Sequence, residues 1–210
     1  MSLIKEIHNV NSHVAVWQIE ESHHFFLNEL PSEITQQQLS AISNEKKQLE
    51  YLCSRYLVQH VAGKENLLLL KKDKSGKPVF AEKTTGVSIS HSATHAAVLL
   101  SNNFNCGIDT ETITSRVKRI ASRFLSEEEL SFVDYDTEIE QLTLFWSAKE
   151  TIFKWYAFGN LSFINQIQLQ KKTELQEKGT LLYLLILPEK RLSIQVTYER
   201  LGSQILTYSA

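Results

Sequence analysis

The sequence lacks the features that mark several large classes of protein. Its 210 residues include only two cysteines, Cys53 and Cys106, which lie far apart in apolar surroundings. This pattern argues against a disulfide framework and favours buried, reduced thiols. No Cys/His group has the spacing of a zinc site, and no glycine-rich loop of the Walker or dinucleotide type is present. Any phosphate or cation must then be bound by other residue types.

Long hydrophobic runs and a strong excess of one charge are also missing. The longest apolar stretches, such as residues 181–187, are far shorter than the roughly 20 residues that a helix needs to span a bilayer. The first residues lack the continuous apolar core of a signal peptide. We therefore expect a soluble cytoplasmic protein with no membrane partner. With 22 basic and 24 acidic residues, no overall field would attract nucleic acid, and attraction for a polyanion must be local.

What the chain does contain is an ordinary globular composition, 42% hydrophobic and 22% charged, with no repeat or long linker. Residue types and periodicity predict three helical segments, a short one ending at residues 31–33 and longer ones over 44–63 and 139–158. Ser126 and Glu129 have the spacing of a capping box that opens a further helix. Strands are predicted over 14–19, 66–70, 87–90, 96–101, 106–111, 164–170, 181–187, 192–198 and 205–208. This order, with strands and helices first and mostly strands later, favours an α+β fold.

Three carboxylates and one ammonium group form the main candidate site. Asp109 and Glu111 are two apart on a predicted strand, so their side chains share a face. Glu150 and Lys154 are four apart on a predicted helix and stack on one side of it. Such a group suits Mg²⁺ holding a phosphorylated substrate. An acidic strand edge and a surface Glu–Lys pair are the alternatives, but the aromatic residues around Trp146 predict a largely buried helix, whose charges need partners.

Other candidates are weaker on their own. Ser90 and His91 follow a strand, and hydroxyls there could donate to a phosphate; a structural histidine is the alternative, and no spaced acid supports a hydrolase triad. Lys77 lies in a Gly-Pro turn that could equally be a solvated hairpin. Lys47 and Arg55 are eight apart and can share a helix face, although a solvated face would also explain the lysine.

Taken in order, these segments resemble the 4′-phosphopantetheinyl transferases of the single-chain type that activates surfactin synthetase. The matching pieces cover about half of the chain. They are Gly76-Lys77-Pro78, Ile89-Ser90-His91-Ser92, Gly107-Ile108-Asp109-Thr110-Glu111, Arg123-Phe124-Leu125-Ser126-Glu127-Glu128-Glu129 and Trp146-Ser147-Ala148-Lys149-Glu150-Thr151-Ile152-Phe153-Lys154.

The resemblance implies an enzyme that moves the phosphopantetheine arm of its substrate coenzyme A onto a serine of an apo acyl or peptidyl carrier protein. Adenosine 3′,5′-bisphosphate would be released. Mg²⁺ would be the cofactor, bound by Asp109, Glu111 and Glu150. Lys154 would contact the pyrophosphate or protonate the leaving group, and Glu129 lies where some members place a general base, a role that Glu150 could also take.

By the same resemblance, coenzyme A phosphates would be held by basic and polar side chains of the N-terminal part, namely Lys47 (or Lys46), Arg55, Lys77, Ser90 and His91. The implied fold is two similar halves related by a pseudo-two-fold, residues 1–102 and 103–210, acting as a monomer with the site between them. Thr110 departs from the aliphatic residue more usual in the family, and its side chain is expected to point away from the carboxylates. A non-catalytic module that binds coenzyme A or a nucleotide and a Mg²⁺-dependent phosphohydrolase are the alternative functions.

Overall fold

The computed structural model describes residues 2–81 and 84–210. The N-terminal part contains six strands and four helices. They are β1 (Leu3–His8), β2 (Ser12–Gln18), α1 (His23–Glu29), α2 (Ser32–Leu39), α3 (Glu45–Ala62), α4 (Lys64–Leu68), β3 (Leu70–Lys72), β4 (Pro78–Phe80), β5 (Gly86–His91) and β6 (His95–Ser101). Four of the strands form an antiparallel sheet in the order β1-β2-β6-β5, and β3 pairs with β4 as a separate ribbon.

The C-terminal part contains a second, larger sheet. Its elements are β7 (Gly107–Thr112), a 3₁₀ helix (Ser115–Ile120), α5 (Ala121–Phe124), α6 (Glu127–Leu130), a second 3₁₀ helix (Tyr135–Thr137), α7 (Glu138–Tyr156), α8 (Phe163–Gln166), β8 (Ile167–Leu169), β9 (Lys178–Leu187), β10 (Lys190–Leu201) and β11 (Gln204–Ser209). The five strands are antiparallel in the order β7-β11-β10-β9-β8. The α+β fold class is confirmed, whereas the division at residue 102 and the pseudo-two-fold remain predictions.

Both long helices were located to within two residues at each end, and the ends of α3 carry strong local signals. Asn44 caps α3 by accepting from the backbone N–H of Lys47, and Gly63 follows its last turn. The predicted capping box is present, with Ser126 and Glu129 exchanging hydrogen bonds at the start of α6. Helix α7 ends at Tyr156, before the expected Phe158, and its C-cap is Ala157 instead of the predicted Gly159; Ala157 adopts the left-handed conformation with φ 60°.

Three of the predicted segments were wrong or incomplete. Residues 64–68 are helical, and the expected strand over 66–70 begins only at Leu70, because a short run of leucines carries no distinct period. Residues 163–166 form α8 ahead of β8, capped by Ser162. Pro31 separates α1 from α2 instead of ending a single helix.

The hydrophobic core has three clusters. One lies between α7 and the C-terminal sheet, and another between α3 and the N-terminal sheet. The third joins the two sheets and includes Val16, Leu99, Ile108 and Leu206. Cys53 and Cys106 are buried and unpaired, as predicted. Over the described residues, no helix has the length and apolar character needed to cross a membrane.

Candidate active site

Strand β7 lies at the junction of the two sheets. One of its edges pairs with β11. At the other edge, the hydroxyls of Ser88 and Ser90 in β5 accept hydrogen bonds from the backbone N–H groups of Ile108 (3.0 Å) and Thr110 (3.3 Å). These hydroxyls pair backbone groups that an unprotected strand edge would leave without partners. They therefore fix the position of β7 against the N-terminal sheet.

Asp109, in the middle of β7, is only 4% exposed. Its Oδ1 accepts hydrogen bonds from the Ser90 hydroxyl and the Lys154 ammonium, both at 2.8 Å. Its Oδ2 is buried and has no hydrogen-bond partner in the described part of the chain. Because a buried, unpaired carboxylate oxygen is energetically costly, this atom is a ready ligand position for a cation.

Helix α7 packs unusually closely over β7, and Gly107 permits this. A Cβ atom at Gly107 would lie 2.1 Å from the carbonyl oxygen of Thr151, so no side chain fits between strand and helix. The close approach brings a face of α7 onto the acids of β7: Trp146 Nε1 donates to Glu111 Oε1 at 2.9 Å, and Lys154 Nζ also donates to the carbonyl of Ile108 at 3.0 Å.

The three carboxylates lie within range of one another's charge. Burial raises the pKa of Glu150 to about 7, and the charges of Asp109 and Glu111 add to the rise while Lys154 opposes it. Burial, followed by Asp109, likewise raises the pKa of Glu111. A divalent cation among them would offset this mutual repulsion.

The donor set fits a hard divalent ion. Asp109, Glu111 and Glu150 offer only oxygen ligands, which Mg²⁺ prefers. Over residues 2–81 and 84–210, however, the three do not form a closed set with ligand oxygens all within 4.8 Å of one another. Binding of one ion by all three would require side-chain rotation, whereas Asp109 could keep its Oδ1 contact with Lys154 and offer Oδ2 to the ion.

A cleft extends from this group toward the N-terminal part. A cavity of about 220 Å³ lies beside Lys154, and a second of about 460 Å³ is lined by Arg55 and His91. Gly76, Pro78 and Ile89 border both cavities, so the two adjoin. Lys154 lines the smaller cavity and contacts Asp109, and Arg55 and His91 line the larger one. Basic side chains along both cavities suit a ligand that carries several phosphates.

His91 and Lys47, two of the predicted coenzyme A contacts, meet at a buried acid. His91 Nδ1 lies 2.8 Å from Glu50 Oε2, and Lys47 Nζ donates to the same oxygen at 2.7 Å. Glu50 is 2% exposed. Burial lowers the pKa of His91, although Glu50 opposes that effect. Arg55 stacks over the ring of Tyr51 at 4.5 Å, and Lys46 is exposed.

Two other predicted coenzyme A contacts have partners within the protein. Lys77 is 8% exposed, and its ammonium donates to the carbonyls of Phe104 (3.2 Å) and Cys106 (3.3 Å). A phosphate contact by Lys77 would require its ammonium to leave both carbonyls. Ser90 uses its hydroxyl on Asp109 and on β7, so in this structure it supports the acidic group instead of the phosphate end.

Glu129, a predicted catalytic residue, lies in a different environment from the three cleft carboxylates. It is 2% exposed, and its Oε2 accepts from Lys149 Nζ at 2.8 Å and from the backbone of Ser126. Its Oε1 accepts from the backbone N–H of Leu169 at 2.9 Å. Both oxygens are therefore engaged, in a buried ion pair, in capping α6 and with Leu169. A role for Glu129 as general base stays a prediction, and it would require one oxygen to leave these partners.

Several contributors to the site were not predicted. Trp146 was expected only as a core residue, yet it orients Glu111; its position four residues before Glu150 is the signal that could have identified it. Glu50 was not singled out, although a lone acid among Leu49, Leu52 and Cys53 indicates a buried charge that needs a partner. Ser88 carries no local signal of its contact with β7.

Comparisons with known proteins agree with the resemblance of the motifs. Residues 105–208 match the family model described as the 4′-phosphopantetheinyl transferase superfamily. A curated relative from Aneurinibacillus migulanus, "4′-phosphopantetheinyl transferase gsp", is 30% identical over 125 residues, which cover 58% of this chain and 52% of the relative. The chain thus matches about half the length of this relative. It belongs to the 4′-phosphopantetheinyl transferase superfamily.

Proposed function

We propose that this member of the 4′-phosphopantetheinyl transferase superfamily transfers the 4′-phosphopantetheine arm of coenzyme A to a serine of an apo acyl or peptidyl carrier protein. The serine oxygen forms a bond to the β-phosphorus of coenzyme A, and the bond from that phosphorus to the bridging oxygen breaks, which releases adenosine 3′,5′-bisphosphate. The observation that carries the proposal is the buried, unpartnered Oδ2 of Asp109 beside Glu111 and Glu150.

Asp109, Glu111 and Glu150 are the residues that would hold Mg²⁺. When bound there, the ion would supply neutralisation of the pyrophosphate charge. Lys154 adds a positive charge at the wall of the smaller cavity, where its side chain is 26% exposed. It stabilises the charge that develops on the departing phosphate, which is the main requirement of phosphoryl transfer.

Glu150 is our candidate for the general base. Its carboxylate has two oxygens, so one could hold the ion while the other accepts a proton. It can therefore accept the serine proton that must leave as the new bond forms. Glu129 is not needed in this scheme, since both of its oxygens are engaged elsewhere.

Coenzyme A would bind along the cleft. Arg55 and His91 line the larger cavity and would donate hydrogen bonds to the phosphates of coenzyme A. Lys47 contacts Glu50, the partner of His91, and would add a positive charge there. The carrier protein would dock near the mouth of the cleft, so that its serine reaches the carboxylate end. The protein would act as a cytoplasmic monomer.

The test is to incubate the protein with coenzyme A, Mg²⁺ and an apo carrier protein and to weigh the carrier by mass spectrometry. We expect a gain of one phosphopantetheine that Asp109→Ala and Glu150→Ala abolish. Glu189→Ala, which removes an exposed acid from the turn after β9, is the matched control and should act like the unaltered protein.

Other outcomes would point to other functions. Tight coenzyme A binding with no transfer to any carrier type would favour a binding module. Release of adenosine bisphosphate in the absence of a carrier would favour a phosphohydrolase. A gain in mass that persists in both alanine variants would contradict the assigned roles.

A further inference from the structure

The side chains of three histidines converge on the carboxylate of Glu6. His13 Nε2 lies 2.9 Å from Glu6 Oε1, and His60 Nε2 lies 3.2 Å from the same oxygen. His8 Nε2 lies 3.7 Å from Glu6 Oε2. Such a convergence is uncommon for side chains that are only solvated, because each residue gives up freedom to join it.

Three separate elements bring these residues together. Glu6 and His8 are two apart on β1 and share a face. His13 is the direct cross-strand partner of His8 on β2, and the two rings lie 4.0 Å apart. His60 comes from the last turn of α3, 54 residues from Glu6. No linear spacing of a metal site is therefore visible in the sequence.

The separations match those that a bound ion requires. A tetrahedral zinc ion with bonds of about 2.0–2.1 Å places its ligand atoms about 3.3 Å apart. The observed separations are 2.9 and 3.2 Å from Glu6 Oε1 and 3.7 Å from Glu6 Oε2, which lie around that value. The ligand atoms of Glu6, His8 and His13 all lie within 4.8 Å of one another, and His60 stands beside as a fourth.

We propose that Glu6, His8, His13 and His60 form a second cation site. It is specific for divalent ions that prefer nitrogen ligands, such as zinc. The side chains of Glu6 and His8 are 30% and 66% exposed, so an ion can enter from solvent. Imidazole ligands select zinc, nickel or copper, whereas the oxygen-only group of the cleft suits magnesium. The two sites therefore differ in the metal they take.

An ion bound at this site would link the β1–β2 hairpin to the end of α3. That helix also carries Arg55, which lines the larger cavity, and Glu50, which contacts His91. An ion that binds the folded chain and not the unfolded one stabilises it. This inference does not depend on the proposed transferase activity.

The experiment titrates Zn²⁺ into the full-length protein in excess Mg²⁺ and counts bound ions by native mass spectrometry, with the thermal midpoint followed in parallel. Co²⁺ serves as a spectroscopic probe, since tetrahedral nitrogen coordination gives a strong visible absorption. We expect one Zn²⁺ at this site and a raised midpoint. His13→Gln and His60→Gln should weaken binding by more than about tenfold, the loss that even outer-shell partners cause.

Two controls make the outcome decisive. His24→Gln removes an exposed histidine from α1 and should bind as the unaltered protein does. Asp109→Asn, which alters the cleft, should retain the ion. The inference is overturned if no Zn²⁺ binds, or if binding is undiminished in a Glu6→Gln/His13→Gln double variant that circular dichroism shows to be folded. Either result would leave the cluster as a set of hydrogen-bonded pairs.

Discussion

The buried pair of Glu129 and Lys149 leads to a sharp prediction about stability. The Lys149 side chain is fully buried, and its ammonium donates to Glu129 and to the carbonyls of Phe124 and Phe163, each at 2.8 Å. Lys149→Met keeps most of the side-chain volume but leaves the Glu129 carboxylate buried without a counter-charge. Removing one partner of such a pair costs about 3–5 kcal/mol. For a chain of this length, that loss lowers the thermal midpoint by about 6–20 °C.

The assay is urea unfolding, combined with the transfer rate measured at low temperature on the folded protein. We expect a large fall in the unfolding midpoint and a rate per folded molecule close to that of the unaltered protein. Glu129→Gln should behave similarly, since an amide places a donor against Lys149. The matched control is Lys172→Met, which breaks a half-exposed pair with Asp134 and should cost less than about 1 kcal/mol.

The refuting result is equally specific. If Glu129→Gln unfolded at the same urea concentration as the unaltered protein yet lost transfer activity, Glu129 would act in the chemistry. Our structural assignment of the pair would then be wrong.

Other predictions concern individual side chains. Burial and Asp109 raise the pKa of Glu150 from 4.5 to about 7, so the folded state keeps a proton that the unfolded chain releases. Without divalent ions, the free energy of unfolding should therefore fall by up to about 3 kcal/mol as the pH rises from 4.5 to 7. Urea unfolding in EDTA at pH 4.5 and 8 measures this, and Glu150→Gln should reduce the difference, leaving the part that Glu111 contributes. Thr110→Val and Tyr183→Phe each remove a buried hydroxyl that has no partner in the described chain. Each should raise the free energy of unfolding by about 1–2 kcal/mol. A loss of stability would show that the hydroxyl has a partner. Gly107→Ala should lower the free energy of unfolding by more than about 3 kcal/mol, because its Cβ would lie 2.1 Å from a backbone oxygen. Gly63→Ala has open space around it and φ 87°, so it should lower the free energy of unfolding only by backbone strain of about 1–2 kcal/mol.

The sequence was sufficient to predict features that depend on local period and caps. The α3 and α7 helices have long periodic patterns with terminal signals, and the pairing of Asp109 with Glu111 on one strand face follows from a period of two. Thr110, between them, is 1% exposed, consistent with a side chain directed away from the carboxylates. The Ser126 capping box is also local, since both partners lie within one helical turn.

What could not be predicted depends on partners that are distant in the sequence. Glu129 contacts Leu169, 40 residues away, and no pattern near either residue indicates that contact. The Lys77 ammonium finds its carbonyls only after the chain has returned to the start of β7. The cluster around Glu6 requires a hairpin and a helix end to meet. In each case tertiary packing decides the role of a side chain whose sequence context is unremarkable.

The central claim is that Asp109, Glu111 and Glu150 bind one divalent cation, and Mn²⁺ binding measured by electron paramagnetic resonance tests it most directly. Mn²⁺ accepts the same oxygen ligands as Mg²⁺, so the signal of free Mn²⁺ reports how many ions the protein takes up. We predict uptake at pH 8 that excess Mg²⁺ reverses and that Asp109→Asn and Glu150→Gln abolish. Uptake that is unchanged in Asp109→Asn, or no uptake by the unaltered protein with coenzyme A present, would contradict the claim.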